Sequence, residues 1–202
     1  MENIPFIDKI IYINLDKRTD RREHMEKQLE KFGLTAERFS AIEHKEGCVG
    51  CILSHLNVLK LAKERKYNNI LILEDDFLFL VSPENFFDNL KELGKYKNFD
   101  VCMISYNCNN YENIDNSIFM KINFAQTTSG YIVNSHYYDK LISLYEWGSP
   151  LLEQTNIHWE YAADIIWNNL QKNDNWIGFK ERQGKQMASY SDCSKGFCDY
   201  NC

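Results

Sequence analysis

Glu74, Asp75 and Asp76 follow without a break on Ile70, Leu71, Ile72 and Leu73. Neighbouring carboxylates repel, and a divalent cation offsets that repulsion because it accepts hard oxygen ligands at short distance. Side chains alternate along an extended segment, so Glu74 and Asp76 are expected on one side, where they can share a metal, and Asp75 on the other. A solvated, idle acidic turn would carry the same letters. A second charged group, Arg18, Arg21 and Arg22, follows the apolar run at residues 10–14. Guanidinium groups pair bidentately with phosphate oxygens, and the loop and helix start after a strand commonly receive phosphate, so an anionic nucleotide suits this position. The alternative is a solvated basic first turn.

Cys48, Cys51 and His55 make a C-x2-C-x3-H pattern at an expected helix start. Three zinc ligands or a thioredoxin-like redox pair fit that spacing, and both are incomplete. Zinc needs a fourth ligand from His44 or the distant tail. The redox motif needs a strand directly before it, where residues 43–46 are polar; unligated residues of a core helix are the plain reading. Asp164 sits among Trp159, Tyr161, Ile165 and Trp167. Burial there would raise its pKa toward the range of a general base, with Glu160 as the competing acid and a solvated helical carboxylate as the alternative. Neither GxGxxG nor a Walker signature occurs, which argues against dinucleotide oxidoreductases and P-loop NTPases.

These groups need a scaffold. The run 70–73 reads as a strand buried on both faces, and the carboxyl end of such a strand in an open α/β sheet is where ligands sit. Residues 10–14 predict another strand, then a helix with Asp20 and Glu23 as a capping box, Met25, Leu29 and Phe32 inward, and Gly33 at its end. A strand over 38–42, a turn at Gly47 and Gly50, and a helix over 51–66 with Ile52, Leu56, Leu59 and Ala62 inward come next. Ser82 and Pro83 open a helix that runs to residue 93. Strands over 99–105, 118–124, 130–133 and 176–179, helices over 136–145 and 161–171, and an Asn-rich loop over 106–116 complete the pattern. Alternating strands and helices predict an α/β fold, a mostly parallel sheet flanked by helices, in a single domain over 1–202 with a cysteine-containing tail at 190–202.

Composition narrows the class. The 202 residues suffice for a sizeable core, and 44% hydrophobic content with 14% aromatics marks a globular chain. A formal net charge of −6 argues against a general nucleic-acid or anionic-membrane binder. No stretch approaches the ~20 apolar residues of a membrane span. Residues 1–8 lack the character of a secretory signal, so a cytoplasmic location is expected. The seven cysteines, Cys48, Cys51, Cys102, Cys108, Cys193, Cys198 and Cys202, are then reduced by default.

The ordered set IYINLDKRTDRREHM (11–25), GCILSH (50–55), LILEDDF (71–77), SGYIVN (129–134) and ADI (163–165) resembles glycosyltransferase family 25. That family includes bacterial lipooligosaccharide galactosyltransferases and collagen hydroxylysine galactosyltransferases. The resemblance implies a Rossmann-like GT-A fold and an inverting, manganese-dependent transfer of galactose or glucose from a UDP-sugar. The acceptor it implies is a hydroxyl on a glycan, a glycolipid or a hydroxylysine-bearing chain. It would place Asn14, Arg18 and Arg21 at the nucleotide and Ser54 and His55 beside the donor. Glu74, Asp75 and Asp76 would take the role of the metal-binding DxD motif, with Glu74 and Asp76 on the metal, and Asp164 would be the base. Two departures stand out: Cys48 occupies a place where family members often carry an acid, and the tail after Asp192 is not a family feature. A non-catalytic nucleotide-sugar binder and a Cys48/Cys51 zinc or thiol protein are the rival readings.

Overall fold

The structure is a computed structural model that describes residue 4 and residues 6–201; residues 1–3 and 5 of the amino-terminal segment 1–8, and Cys202, lie outside the described residues. In chain order the elements are β1 (Lys9–Asn14), α1 (Thr19–Lys31), β2 (Glu37–Ser40), α2 (Gly47–Glu64), β3 (Asn69–Glu74), β4 (Phe77–Phe79), α3 (Pro83–Tyr96), β5 (Val101–Met103), β6 (Asn107–Asn113), β7 (Phe119–Gln126), β8 (Gly130–Asn134), α4 (Tyr138–Thr155), α5 (His158–Tyr161), α6 (Ala163–Ile166), α7 (Asn168–Asn173), β9 (Trp176–Phe179), β10 (Gly184–Gln186), β11 (Ser189–Ser191) and β12 (Gly196–Cys198). An eight-stranded sheet has the order β2-β1-β3-β8-β5-β9-β7-β6. β8 and β7 run against the other six, giving a mixed, mostly parallel sheet.

The apolar run before the three acids is buried on both faces, as its composition predicts. Ile70 and Ile72 pack with Leu56 and Leu59 of α2 and Leu141 and Tyr145 of α4 on one side. Leu71 and Leu73 pack with Met25 and Leu29 of α1 and Phe86 and Leu90 of α3 on the other. Each of these four strand residues has no exposed surface, and burying such a side chain stabilises the fold by about 1.5–3 kcal/mol. The end of β3, and the acids on it, are thereby fixed in place.

Several local expectations give way to tertiary contacts. No capping box forms at α1: Arg18 is the N-cap without a side-chain cap bond, because its guanidinium holds the Asp20 carboxylate at 2.9 and 3.0 Å. Gly47 and Gly50 lie inside α2 rather than in a turn. A Cβ on Gly47 would sit 2.4 Å from the Asp192 carbonyl oxygen, and one on Gly50 would sit 2.5 Å from that of Ile42. Both glycines therefore serve close backbone approach. The Asn-rich segment is strand β6, whose pairing with β7 overrides its poor strand propensity. α4 runs ten residues past the expected stop and carries Pro150 inside it, held by burial of Leu141, Tyr145 and Leu152. The helix expected over 161–171 is broken at Ala162, whose backbone is extended (φ −62°, ψ 153°). The tail is ordered as the β11–β12 hairpin.

Candidate active site

The carboxyl ends of β1 and β3 open into a cavity of about 760 Å³ lined by Arg18, Arg21, Ser54, His55, Glu74, Asp75, Asp76 and Asp164. Asn14 stands behind this wall and donates to Asp75 Oδ2 at 2.7 Å, while its Oδ1 accepts from Arg38 Nε at 2.9 Å. Residues widely separated in sequence therefore meet where an α/β sheet places its ligands.

The acidic string divides differently from simple alternation. Residues 75 and 76 form a turn between β3 and β4, so Asp75 and Asp76 both reach Arg21 Nη1, at 3.0 and 2.9 Å. Glu74 turns instead to His55 Nε2, at 3.1 Å, and to the Thr128 hydroxyl. His55 is oriented from behind by the Tyr131 hydroxyl, 2.8 Å from Nδ1. Burial pushes the Glu74 carboxyl up, but hydrogen bonds from His55 and Thr128 outweigh it and hold the group below its ordinary value. Asp76 goes the other way: burial, followed by the Glu74 charge, raises it to about 7 despite Arg21. Its Oδ1 is buried without a hydrogen-bond partner. Burial also raises Asp75, against the pull of Arg21 and Asn14.

Asp164, on α6, lines the same cavity. Its Oδ2 accepts from the Thr127 backbone N–H at 3.1 Å. The surrounding protein raises its pKa, and the Glu74 charge adds to the rise. Thr127 has φ 79°, a conformation that is costly for a β-branched residue and marks a strained backbone at the site. The sequence reading passed over Thr127 and Thr128, whose only signal was a small polar run directly before the β8 motif. It named the tail at 190–202 but not its contacts with the arginines and Asp76. Arg18 Nη1 holds Asp192 Oδ2 at 2.9 Å, Arg21 Nη2 holds Ser189 Oγ at 2.7 Å and the Tyr190 carbonyl at 2.9 Å, and Met187 N–H donates to the Asp76 carbonyl at 2.7 Å.

Ser54 is buried, with its hydroxyl donating to the Gly50 carbonyl at 2.6 Å and accepting from Ile42 N–H at 2.8 Å. It fastens the segment before α2 to that helix. Ligand atoms of Cys51, His55 and Glu74 lie within 4.8 Å of one another. Burial pushes the Cys51 thiol well up, toward its protonated form, and Cys48, a free thiol, hydrogen-bonds to the free thiol of Cys193 instead of joining this trio.

The sequence profile of the family described as glycosyltransferase family 25 (LPS biosynthesis protein) matches residues 7–48 and 46–167. The chain belongs to glycosyltransferase family 25. The matched stretch carries Asn14 through Asp164, and the β10–β12 tail lies outside it. A Drosophila melanogaster protein named glycosyltransferase 25 family member is 32% identical over 101 residues, 36% of this chain and 16% of that protein. An Acanthamoeba polyphaga mimivirus protein carrying a glycosyltransferase name is 35% identical over 118 residues, 47% of this chain and 34% of its own length. The alignments thus span about a third or less of these relatives. Among solved structures, a glycosyltransferase involved in glycosylation of the major capsid of PBCV-1 superposes with a TM-score of 0.54 at 12% identity, covering 93% of this chain and 95% of its own. A UDP-glucose pyrophosphorylase complexed with UDP-glucose gives 0.51 at 10% identity, covering 92% and 75%. At such identities the likeness is one of fold.

Proposed function

We propose that this family 25 glycosyltransferase moves a hexose, galactose or glucose, from a UDP-sugar to a hydroxyl of a glycan, glycolipid or hydroxylysine-bearing acceptor, with inversion and with a divalent cation, manganese, as cofactor. The observation that carries the reading is the pairing, across one cavity, of a raised-pKa carboxylate, Asp164, with an arginine-braced carboxylate group, Asp75 and Asp76.

The chemistry of the donor set suits a hard cation: Glu74 and Asp76 both line the cavity with carboxylate oxygens, and Asp76 keeps a buried oxygen without a partner. Glu74 and Asp76 are the residues that would hold it. When bound, the cation neutralises charge that builds on the departing diphosphate. Arg18 and Arg21 bind the phosphates, and Asn14 keeps Asp75 turned toward Arg21. His55 and Thr128 keep Glu74 ionised and fixed. Asp164 takes the proton from the acceptor hydroxyl as that oxygen bonds to the anomeric carbon and the bond to the diphosphate breaks on the opposite face. Thr127 N–H holds one carboxylate oxygen of Asp164 in place for this.

Calorimetric screening of nucleotide sugars with and without manganese tests donor and cofactor together. Asp76→Ala is expected to keep the fold and lose metal-dependent donor hydrolysis and transfer; undiminished turnover in that variant removes the metal role. A binder without catalysis would show donor affinity and no product over time.

A further inference from the structure

The first turn of α2, anchored in the core by Val49, and the turn of the β11–β12 hairpin, which belongs to neither hydrophobic cluster, are pressed together. A Cβ at Gly47 would meet the Cys193 backbone nitrogen at 2.7 Å, so the backbone beside Cys48 touches the backbone of Cys193. The two thiols hydrogen-bond to each other and both border the cavity. Flanking ion pairs hold the same contact: Lys195 with Glu46 at 3.0 Å and Asp192 with Arg18 at 2.9 Å. The Asp192–Arg18 pair is part-buried, whereas the largely exposed Lys195–Glu46 pair contributes only about 0–1 kcal/mol, so the hairpin is held by few contacts.

We propose that Cys48 and Cys193 form a reversible disulfide that latches the carboxyl-terminal hairpin across the cavity and keeps Asp192 on Arg18. That the latch excludes a nucleoside diphosphate rests on the function proposed above. The phosphates need Arg18 and Arg21, whose guanidinium groups hold Asp192, Ser189 and the Tyr190 carbonyl. A cross-link one residue from Asp192 prevents that exchange.

The oxidant is a hydroperoxide. Cys48 attacks its terminal oxygen, the O–O bond breaks, and with hydrogen peroxide one water leaves and a sulfenic acid remains. The Cys193 sulfur then attacks the Cys48 sulfur, the S–S bond forms, and a second water leaves. Two thiols lose two electrons, the O–O bond gains them, and both thiol protons end in water. The hydrogen bond from Cys193 keeps Cys48 below the ordinary thiol range, which suits it to the first attack. Cys193 is exposed and Cys48 partly so.

The test treats the full chain with hydrogen peroxide, maps disulfides by non-reducing peptide mass spectrometry, and titrates UDP in manganese before oxidation, after it, and after dithiothreitol. The expected result is a Cys48–Cys193 cross-linked peptide, UDP affinity lowered by about tenfold or more, and recovery on reduction. Cys193→Ser should bind UDP as the reduced parent does and ignore peroxide. Gly47→Ala, which forces the hairpin away, should suppress the cross-link with both cysteines still present. A cross-link mapped to another cysteine pair, or one between Cys48 and Cys193 with unchanged UDP affinity, overturns the proposal. If the reduced chain binds no UDP, the proposed function fails. The peptide map and protection of the Lys195 bond from trypsin then still decide whether the latch exists.

Discussion

At the residue scale two carboxylates with raised pKa values divide the site. Asp164 must be ionised to accept a proton, so transfer is expected to fall on acidification, with the acidic limb of the rate profile lying above the ordinary carboxylate range. Asp164→Asn should lower kcat by about 100-fold or more and remove that limb; a retained limb assigns it to another group. Asp76 gives a stability signature. Its carboxyl moves from an ordinary 3.8 to about 7 in the fold, so the folded chain binds the extra proton between those values. Its contribution to stability is full below the unfolded pKa and is lost as pH rises through the folded one. Metal-free Asp76→Asn is therefore expected to lose less thermal stability than the parent between about pH 4 and about pH 7, which paired melting curves check. Asp76 and Asp164 were legible as letters, an acid after a core strand and an acid among aromatics. The turn of Glu74 toward His55 was not, because the alternation rule ends where the strand ends.

At the scale of elements, β8 carries the site's central geometry. It lies antiparallel between β3 and β5, so the segment entering it delivers Thr127 to Asp164 and Thr128 to Glu74. That entry is tight. A Cβ on Gly130 would meet the buried Phe77 ring at 2.6 Å and Ile104 at 2.9 Å, and overpacking of this kind costs about 1–3 kcal/mol. Gly130→Ala is expected to lower the urea midpoint accordingly and, by shifting Thr127 and Thr128, to lower turnover as well. Helix α3 was readable to its cap, since Ser82 accepts from Asn85 N–H with Pro83 following, a device contained within four residues. The break of the later helix at Ala162 had no such local mark.

At the scale of the whole molecule the tail is the deciding feature. Among the described residues none after Phe179 belongs to either hydrophobic cluster, yet the hairpin reaches back over 174 positions to Arg18. A chain ending after Gln186 is expected to keep its fold, with circular dichroism unchanged, and to bind UDP at least as tightly as the full chain because Arg18 and Arg21 are released. Weaker UDP binding in the shortened chain would show that the tail helps to form the donor site. Among the described residues no helix is long and apolar enough to cross a membrane.

The amino-acid order by itself determined the alternation of strands and helices, the doubly buried β3 and the presence of acids and arginines at strand ends. These follow from side-chain periodicity and from caps, which act over a few residues. Only the tertiary structure decided the strand order with β8 and β7 reversed, the conversion of an Asn-rich segment into edge strand β6, and the seating of the hairpin on the arginines. Each depends on backbone hydrogen bonds or charge pairs between segments far apart in the chain, whose partners no local pattern names.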